Sequence, residues 1–169
     1  MKITLIGYMG AGKSSLGQAL AQELHLPFFD LDSEIEKDTG YTITETIFNK
    51  GELFFRKLER EHLLKLLNRK EFVLSTGGGT PCYYDNIEEI NRQSLSIYLK
   101  YGVKDLYERL EGEQSERPLI AHLEGPALRE FIGKHLFERN LYYEKATQVI
   151  NAKNQETNDI LKTIKKLVK

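Results

Sequence analysis

Cysteine is almost absent from this chain. Its 169 residues include one, Cys82, so no disulfide framework can form and a reducing compartment suits it. Net charge is nearly absent too: 24 Lys and Arg against 25 Asp and Glu leave −1, which gives no electrostatic basis for nucleic acid or an anionic membrane as partner. No apolar run approaches the roughly 20 residues of a membrane span. With the first expected strand entered at once, at Ile3, no signal peptide is expected. His25, His62, His122 and His135 are scattered without metal-ligand spacing. Repeats, low-complexity tracts and linkers are missing as well. A hydrophobic content of 40% with 29% charged residues is ordinary for a globular protein, at a length that one domain accounts for. The expectation is a single cytoplasmic domain over 1–169, monomeric because no large apolar surface stripe is left over.

What is present begins at residue 7. Gly-Tyr-Met-Gly-Ala-Gly-Lys-Ser-Ser over 7–15 fits G-x-x-x-x-G-K-[ST], with Gly7, Gly12, Lys13 and Ser14 at the fixed positions. A short apolar run over 3–6 reads as a buried strand before it. Leu16, Leu20 and Leu24 give helical spacing after it. A triphosphate needs donors converging from several directions. Glycines let the backbone turn its N–H groups inward, and the positive end of the helix dipole adds to the field. Lys13 would reach the β- and γ-phosphates and the Ser14 hydroxyl would ligate Mg²⁺. The stretch predicts a nucleoside triphosphate site.

Further along, strands are expected over 27–30, 72–74, 95–99 and 148–150. Helices are expected over 33–39, 42–50, 52–67, 86–92, 104–110, 127–145 and 155–169, the second opening on the capping-box spacing of Thr42 and Glu45. Residues 111–125 are polar and broken by Gly112, Pro118 and Gly125, a loop with the character of a lid. Strands alternating with helices imply a parallel sheet covered on both faces, an α/β fold. Ligands of such sheets collect at the carboxyl ends of the strands. That rule brings the glycine loop, Asp30 to Asp32, and Gly77-Gly78-Gly79 into one crevice.

Of the two aspartates, one could hold Mg²⁺ through water and the other accept a proton from a hydroxyl. Alternatively one of them caps the helix expected from Ser33. Arg56 could fork a carboxylate, or simply pair with Glu59 one turn on. Three consecutive glycines after a buried strand suit a backbone that something must approach closely. Arg117 in the lid could swing onto the phosphate as the loop closes and help exclude water. Arg139, near Tyr142 and Tyr143, is a further basic candidate.

Together these pieces resemble shikimate kinase over nearly the full length. The motifs stand in order: the glycine loop at 7–15, Phe29-Asp30-Leu31-Asp32-Ser33-Glu34-Ile35-Glu36, Gly51-Glu52 with Phe55-Arg56 and Glu59, Gly77-Gly78-Gly79, Arg117-Pro118-Leu119, and Arg139 with Tyr143. The resemblance implies a three-layer αβα P-loop fold of the nucleoside-monophosphate-kinase type, with five parallel strands and a mobile lid near 111–125. It implies transfer of the γ-phosphate of ATP to the 3-hydroxyl of shikimate in aromatic amino-acid biosynthesis, with Mg²⁺ as cofactor. Carried over by position, Gly10, Ala11, Gly12, Lys13, Ser14, Ser15, Arg109 and Arg117 would bind ATP, Arg109 lying against the adenine. Asp32, Arg56, Gly77, Gly78, Gly79 and Arg139 would bind shikimate, on helices spanning about 32–62 and beyond. Arg56 and Arg139 would grip the carboxylate. Lys13, Asp32 and Arg117 would be catalytic, Ser14 would hold the metal directly and Asp30 through water.

The chain departs from the family at Ile47, where a phenylalanine is usual and Phe48 comes one position late. It departs again at Asn140-Leu141-Tyr142-Tyr143, where Pro-Leu-Tyr usually follows the arginine. Cys82 reads as structural. Kinases for gluconate or a nucleoside monophosphate share the glycine loop, but the aspartate pair, Phe55-Arg56 and the triple glycine favour an acidic polyol. A GTPase lacks support, because N-K-x-D and D-x-x-G are missing. A binding module without activity lacks it too, because every expected catalytic position is intact.

Overall fold

A computed structural model describes residues 1–114 and 117–168. Ser115 and Glu116 of the expected lid, and Lys169 of the expected last helix, lie outside the described residues. Five parallel strands form one sheet in the order β2-β3-β1-β4-β5. They are β1 (Lys2–Ile6), β2 (Phe28–Asp30), β3 (Phe72–Ser75), β4 (Leu95–Lys100) and β5 (Gln148–Asn151). The helices are α1 (Lys13–Leu24), α2 (Leu31–Thr39), α3 (Ile43–Lys50), α4 (Glu52–Leu67), α5 (Asn86–Gln93), α6 (Val103–Leu110), α7 (Gly125–Tyr143) and α8 (Thr157–Leu167).

The central strand shows why the sheet is covered twice. Ile3, Thr4, Leu5 and Ile6 are all fully buried, although successive side chains point to opposite faces. Leu5 reaches α1, where its Cδ1 would touch a β-carbon on Gly17 at 3.3 Å. Thr4 faces the other way, its Oγ1 2.7 Å from the hydroxyl of Ser94 at the end of α5. The core therefore continues through the sheet, and α1 and α5 cover opposite faces.

Three of the helix starts that differ from the sequence expectation do so for a local reason. Helix α2 begins at Leu31 instead of 33, because the Asp30 carboxylate accepts the Ser33 N–H at 3.2 Å and is itself the cap. Asp32 consequently lies in the first helical turn. Helix α1 begins at Lys13, two residues earlier than its apolar spacing indicates, because Gly12 caps it in the left-handed conformation at φ 78°. Helix α7 begins at Gly125, with Pro126 in its first turn, where a missing N–H costs nothing. The capping box of Thr42 and Glu45 forms as its spacing indicates.

β1 lies between β3 and β4, so the chain leaves its carboxyl end where the strand order reverses. A crevice opens at such a point.

Candidate active site

Starting α1 at Lys13 puts Lys13 and Ser14 in its first turn. The Lys13 ammonium folds back over the loop and donates to the carbonyls of Gly7 at 2.9 Å and Tyr8 at 3.0 Å. Burial pulls its pKa down to about 8. Asp32 and Asp30 act against that, while Arg117 and Arg139 act with it. A cation held by two carbonyls of its own loop can exchange them for phosphate oxygens. The Ala11 amide is less available than the motif implies, since it donates to the Tyr8 carbonyl at 3.2 Å.

The Ser14 hydroxyl donates to Asp30 Oδ2 at 2.5 Å and lies 3.3 Å from the Ser75 hydroxyl. This hard oxygen pair fits Mg²⁺, which keeps several waters and takes few protein ligands beside phosphates. Among the described residues no group of three or more His, Cys, Asp or Glu gathers for a metal held by protein alone.

Each glycine of the 77–79 run meets a different charged side chain. A β-carbon on Gly77 would lie 3.1 Å from Asp32 Oδ1 and 3.2 Å from Glu59 Oε1. On Gly78 it would lie 3.2 Å from Arg139 Nη1 and 3.3 Å from the Met9 amide nitrogen. On Gly79 it would lie 2.8 Å from Arg56 Nη2. None of the three has positive φ, so the glycines are required by close approach and not by the turn. Through this run, residues of α2, α4 and α7 come to the phosphate loop.

Asp32 titrates near neutrality. Burial raises its carboxyl to about 6, Asp30 and Glu59 push it the same way, and Lys13 opposes them. Arg56 is tightly held, donating to Glu59 Oε2 at 2.9 Å and to Glu52 Oε1 at 3.4 Å, with its guanidinium 4.0 Å from the Tyr83 ring centre. Arg56 thus pairs with Glu59, as one of the two sequence readings expects, and packs against Gly79. Arg139 is buried on α7, and Tyr143 one turn on donates its hydroxyl to the Gly78 carbonyl at 2.5 Å.

A cleft of about 570 Å³ runs over the glycine loop. Gly10, Gly12, Lys13, Ser14 and Ser15 line one side, Asp30, Asp32, Gly77 and Gly78 another, and Arg109 and Arg117 a third. Ala11, Gly79, Arg56 and Arg139 stand outside that lining. Arg109 closes the rim, donating to the Gly10 carbonyl at 3.3 Å and to the Tyr101 hydroxyl at 3.0 Å. Arg117 lies 3.4 Å from Glu113. Its segment is anchored by Ile120, which is fully buried.

Phe48 does not substitute for the family's phenylalanine, since it is 88% exposed. At the second departure, Asn140 accepts the Tyr98 hydroxyl at 2.9 Å. Burial pushes the Cys82 thiol up to about 11, so it is not an activated thiolate.

Glu59 carries more than its helix spacing suggests. Besides Arg56 it accepts the Thr80 hydroxyl at 2.7 Å, and it is 1% exposed. The signal for Glu59 is its place one turn after Arg56. Thr80 offers only its position after the glycine run.

The family model for shikimate kinase matches residues 9–169. The chain is 41% identical to the shikimate kinase of Flavobacterium psychrophilum, over 99% of this chain and 98% of that one. Its fold superposes on a crystal structure of shikimate kinase from Bacteroides thetaiotaomicron with a TM-score of 0.93 and 36% identity, covering 99% of this chain and 98% of that one. For shikimate kinase from Acinetobacter baumannii in complex with shikimate the TM-score is 0.89 and the identity 33%, over 99% and 92% of the two chains. Agreement in sequence and backbone across essentially the whole length places the chain in the shikimate kinase family.

Proposed function

We propose that this chain transfers the γ-phosphoryl group of ATP to the 3-hydroxyl of shikimate, giving shikimate 3-phosphate and ADP on the way to chorismate and the aromatic amino acids. The observation that carries the reading is the approach of Asp32, Arg139 and Arg56 to three successive glycines beside the phosphate loop. Gly10, Gly12, Ser15 and the amides around them would cradle the phosphates, with Arg109 against the base. Lys13 and Arg117 would offset charge on the moving group. Asp32, whose carboxyl is raised to about 6, is ionised at neutral pH yet basic enough to take the proton of the attacking hydroxyl. Arg56 and Arg139 would grip the carboxylate, and Gly77 to Gly79 would admit the ring closely.

Mg²⁺ would be held by the Ser14 hydroxyl and, through water, by Asp30; when bound it neutralises the phosphates. The protein acts as a single monomeric domain in the cytoplasm, with residues 111–125 as its lid and Arg117 delivered by closure. No described helix is long and apolar enough to cross a membrane.

The test is ADP release by the purified protein with MgATP, offering shikimate, gluconate and nucleoside monophosphates separately. Turnover with shikimate alone supports the reading. Turnover only with another acceptor keeps the phosphate loop and overturns the assignment of the acceptor residues.

A further inference from the structure

Helix α7 carries Arg139, and its rotation and height above the sheet decide where that guanidinium sits. Phe131, His135, Arg139 and Tyr143 follow one another at four-residue intervals, so they share one face of the helix. Tyr143 fixes the lower end of that face by donating to the Gly78 carbonyl at 2.5 Å. The upper end is fixed on the phosphate loop. Tyr8, the second residue of that loop, is 1% exposed, and its hydroxyl lies 2.9 Å from His135 Nδ1. The two rings meet edge to face, 5.5 Å apart at 84°, and the Phe131 ring packs on the imidazole at 5.0 Å. The Arg139 guanidinium lies 5.8 Å from the centre of the same Tyr8 ring.

We propose that His135, through its hydrogen bond with Tyr8, is a positioning residue that sets Arg139 for the acceptor's carboxylate by tying α7 to the phosphate loop. Burial raises the Tyr8 phenol to about 12, so it stays protonated. Burial, with Arg139 nearby, lowers His135 to about 4, so its ring is neutral, and the tautomer decides which of the two atoms donates. Among the described residues facing His135, Tyr8 supplies the bond and Arg139 a nearby charge. His135 is not among the residues that line the cleft, so its effect passes through Arg139. One loop residue then serves both sites: the backbone of Tyr8 holds Lys13, and its side chain holds the helix of Arg139.

This inference rests on the reading that Arg139 grips an anionic acceptor. The test is steady-state kinetics of Tyr8→Phe, His135→Ala and His135→Gln, with thermal midpoints measured alongside. Tyr8→Phe keeps the ring and removes the hydroxyl. His135→Gln offers an amide that can pair with the Tyr8 hydroxyl as donor or acceptor. Loss of one buried hydrogen bond should raise the KM for shikimate about three- to tenfold in Tyr8→Phe and His135→Ala, and the KM for ATP far less. His135→Gln should recover most of the difference. Equal rises in both KM values, or a KM for shikimate that tracks the thermal midpoint regardless of the side chain at 135, would show plain structural support and overturn the proposal. The wild type reports on the underlying reading separately. If it uses another anionic acceptor, the same split is measured with that acceptor.

Discussion

The Arg56 guanidinium packs so closely on the bare α-carbon of Gly79 that a β-carbon there would lie 2.8 Å from Nη2. Arg56 cannot retreat easily, because Glu59 holds one of its nitrogens and the Tyr83 ring backs the plane. Gly79→Ala should therefore move the arginine without removing it. The expected result is a KM for shikimate raised about tenfold or more with the KM for ATP nearly unchanged, measured by ADP release. A normal KM for shikimate would separate Arg56 from the acceptor.

Removing Arg56 itself has two consequences. A carboxylate grip acts in ground and transition states alike, so Arg56→Ala should chiefly raise the KM for shikimate. It also leaves Glu59, 1% exposed, with the Thr80 hydroxyl as its one donor among the described residues. An uncompensated buried charge is costly, so unfolding free energy should fall by roughly 2–4 kcal/mol. Neutralising the orphan in Arg56→Ala/Glu59→Gln should restore part of that stability and none of the affinity. Urea unfolding of the two variants checks this.

Asp32→Ala should lower kcat by two to four orders of magnitude, the usual contribution of a positioned base. ATP binding, followed by calorimetry, should persist. Turnover near normal would refute the role of base.

The pH dependence follows from the same group. Asp32 must be ionised to accept a proton, so kcat/KM in the wild type should fall as pH drops through about 6. Stability runs the opposite way. A carboxyl raised from 3.8 to about 6 binds more protons folded than unfolded between those values, so its contribution to stability declines as pH rises through that window. Asp32→Asn should thus be more stable than wild type at pH 7 by about 1–3 kcal/mol, held below the full linkage value by solvent in the cleft. The advantage should shrink towards zero below about pH 4. Denaturant unfolding at pH 4, 5.5 and 7 reads the difference.

Ser14→Ala removes the hydroxyl that meets Asp30 at 2.5 Å. The concentration of Mg²⁺ giving half-maximal rate should rise about tenfold or more, while shikimate binding without nucleotide stays the same. An unchanged Mg²⁺ requirement would remove Ser14 from the metal site.

The sequence alone determined the strand–loop–helix unit around Lys13, the alternation of strands and helices, and the crevice shared by three loops. Those features are local. A glycine-rich loop before a helix, an apolar run and a four-residue spacing act between neighbours in the chain, so they can be read without knowing the rest. The placement of Asp30 at a strand end was legible too, whereas its choice as cap, and with it the place of Asp32 in the first helical turn, depended on where α2 began.

Tertiary structure decided which side chain each glycine of 77–79 admits, and that Phe48 points into solvent while Asn140 takes the Tyr98 hydroxyl. It also decided that Tyr8 and His135, 127 positions apart, meet at all. Such contacts depend on the distance between sheet and helices, set by all the packed side chains together, and no short stretch of sequence carries it. The elevated carboxyl of Asp32 has the same origin. Burial, Asp30 and Glu59 raise it, and only folding brings Glu59 from α4 beside it.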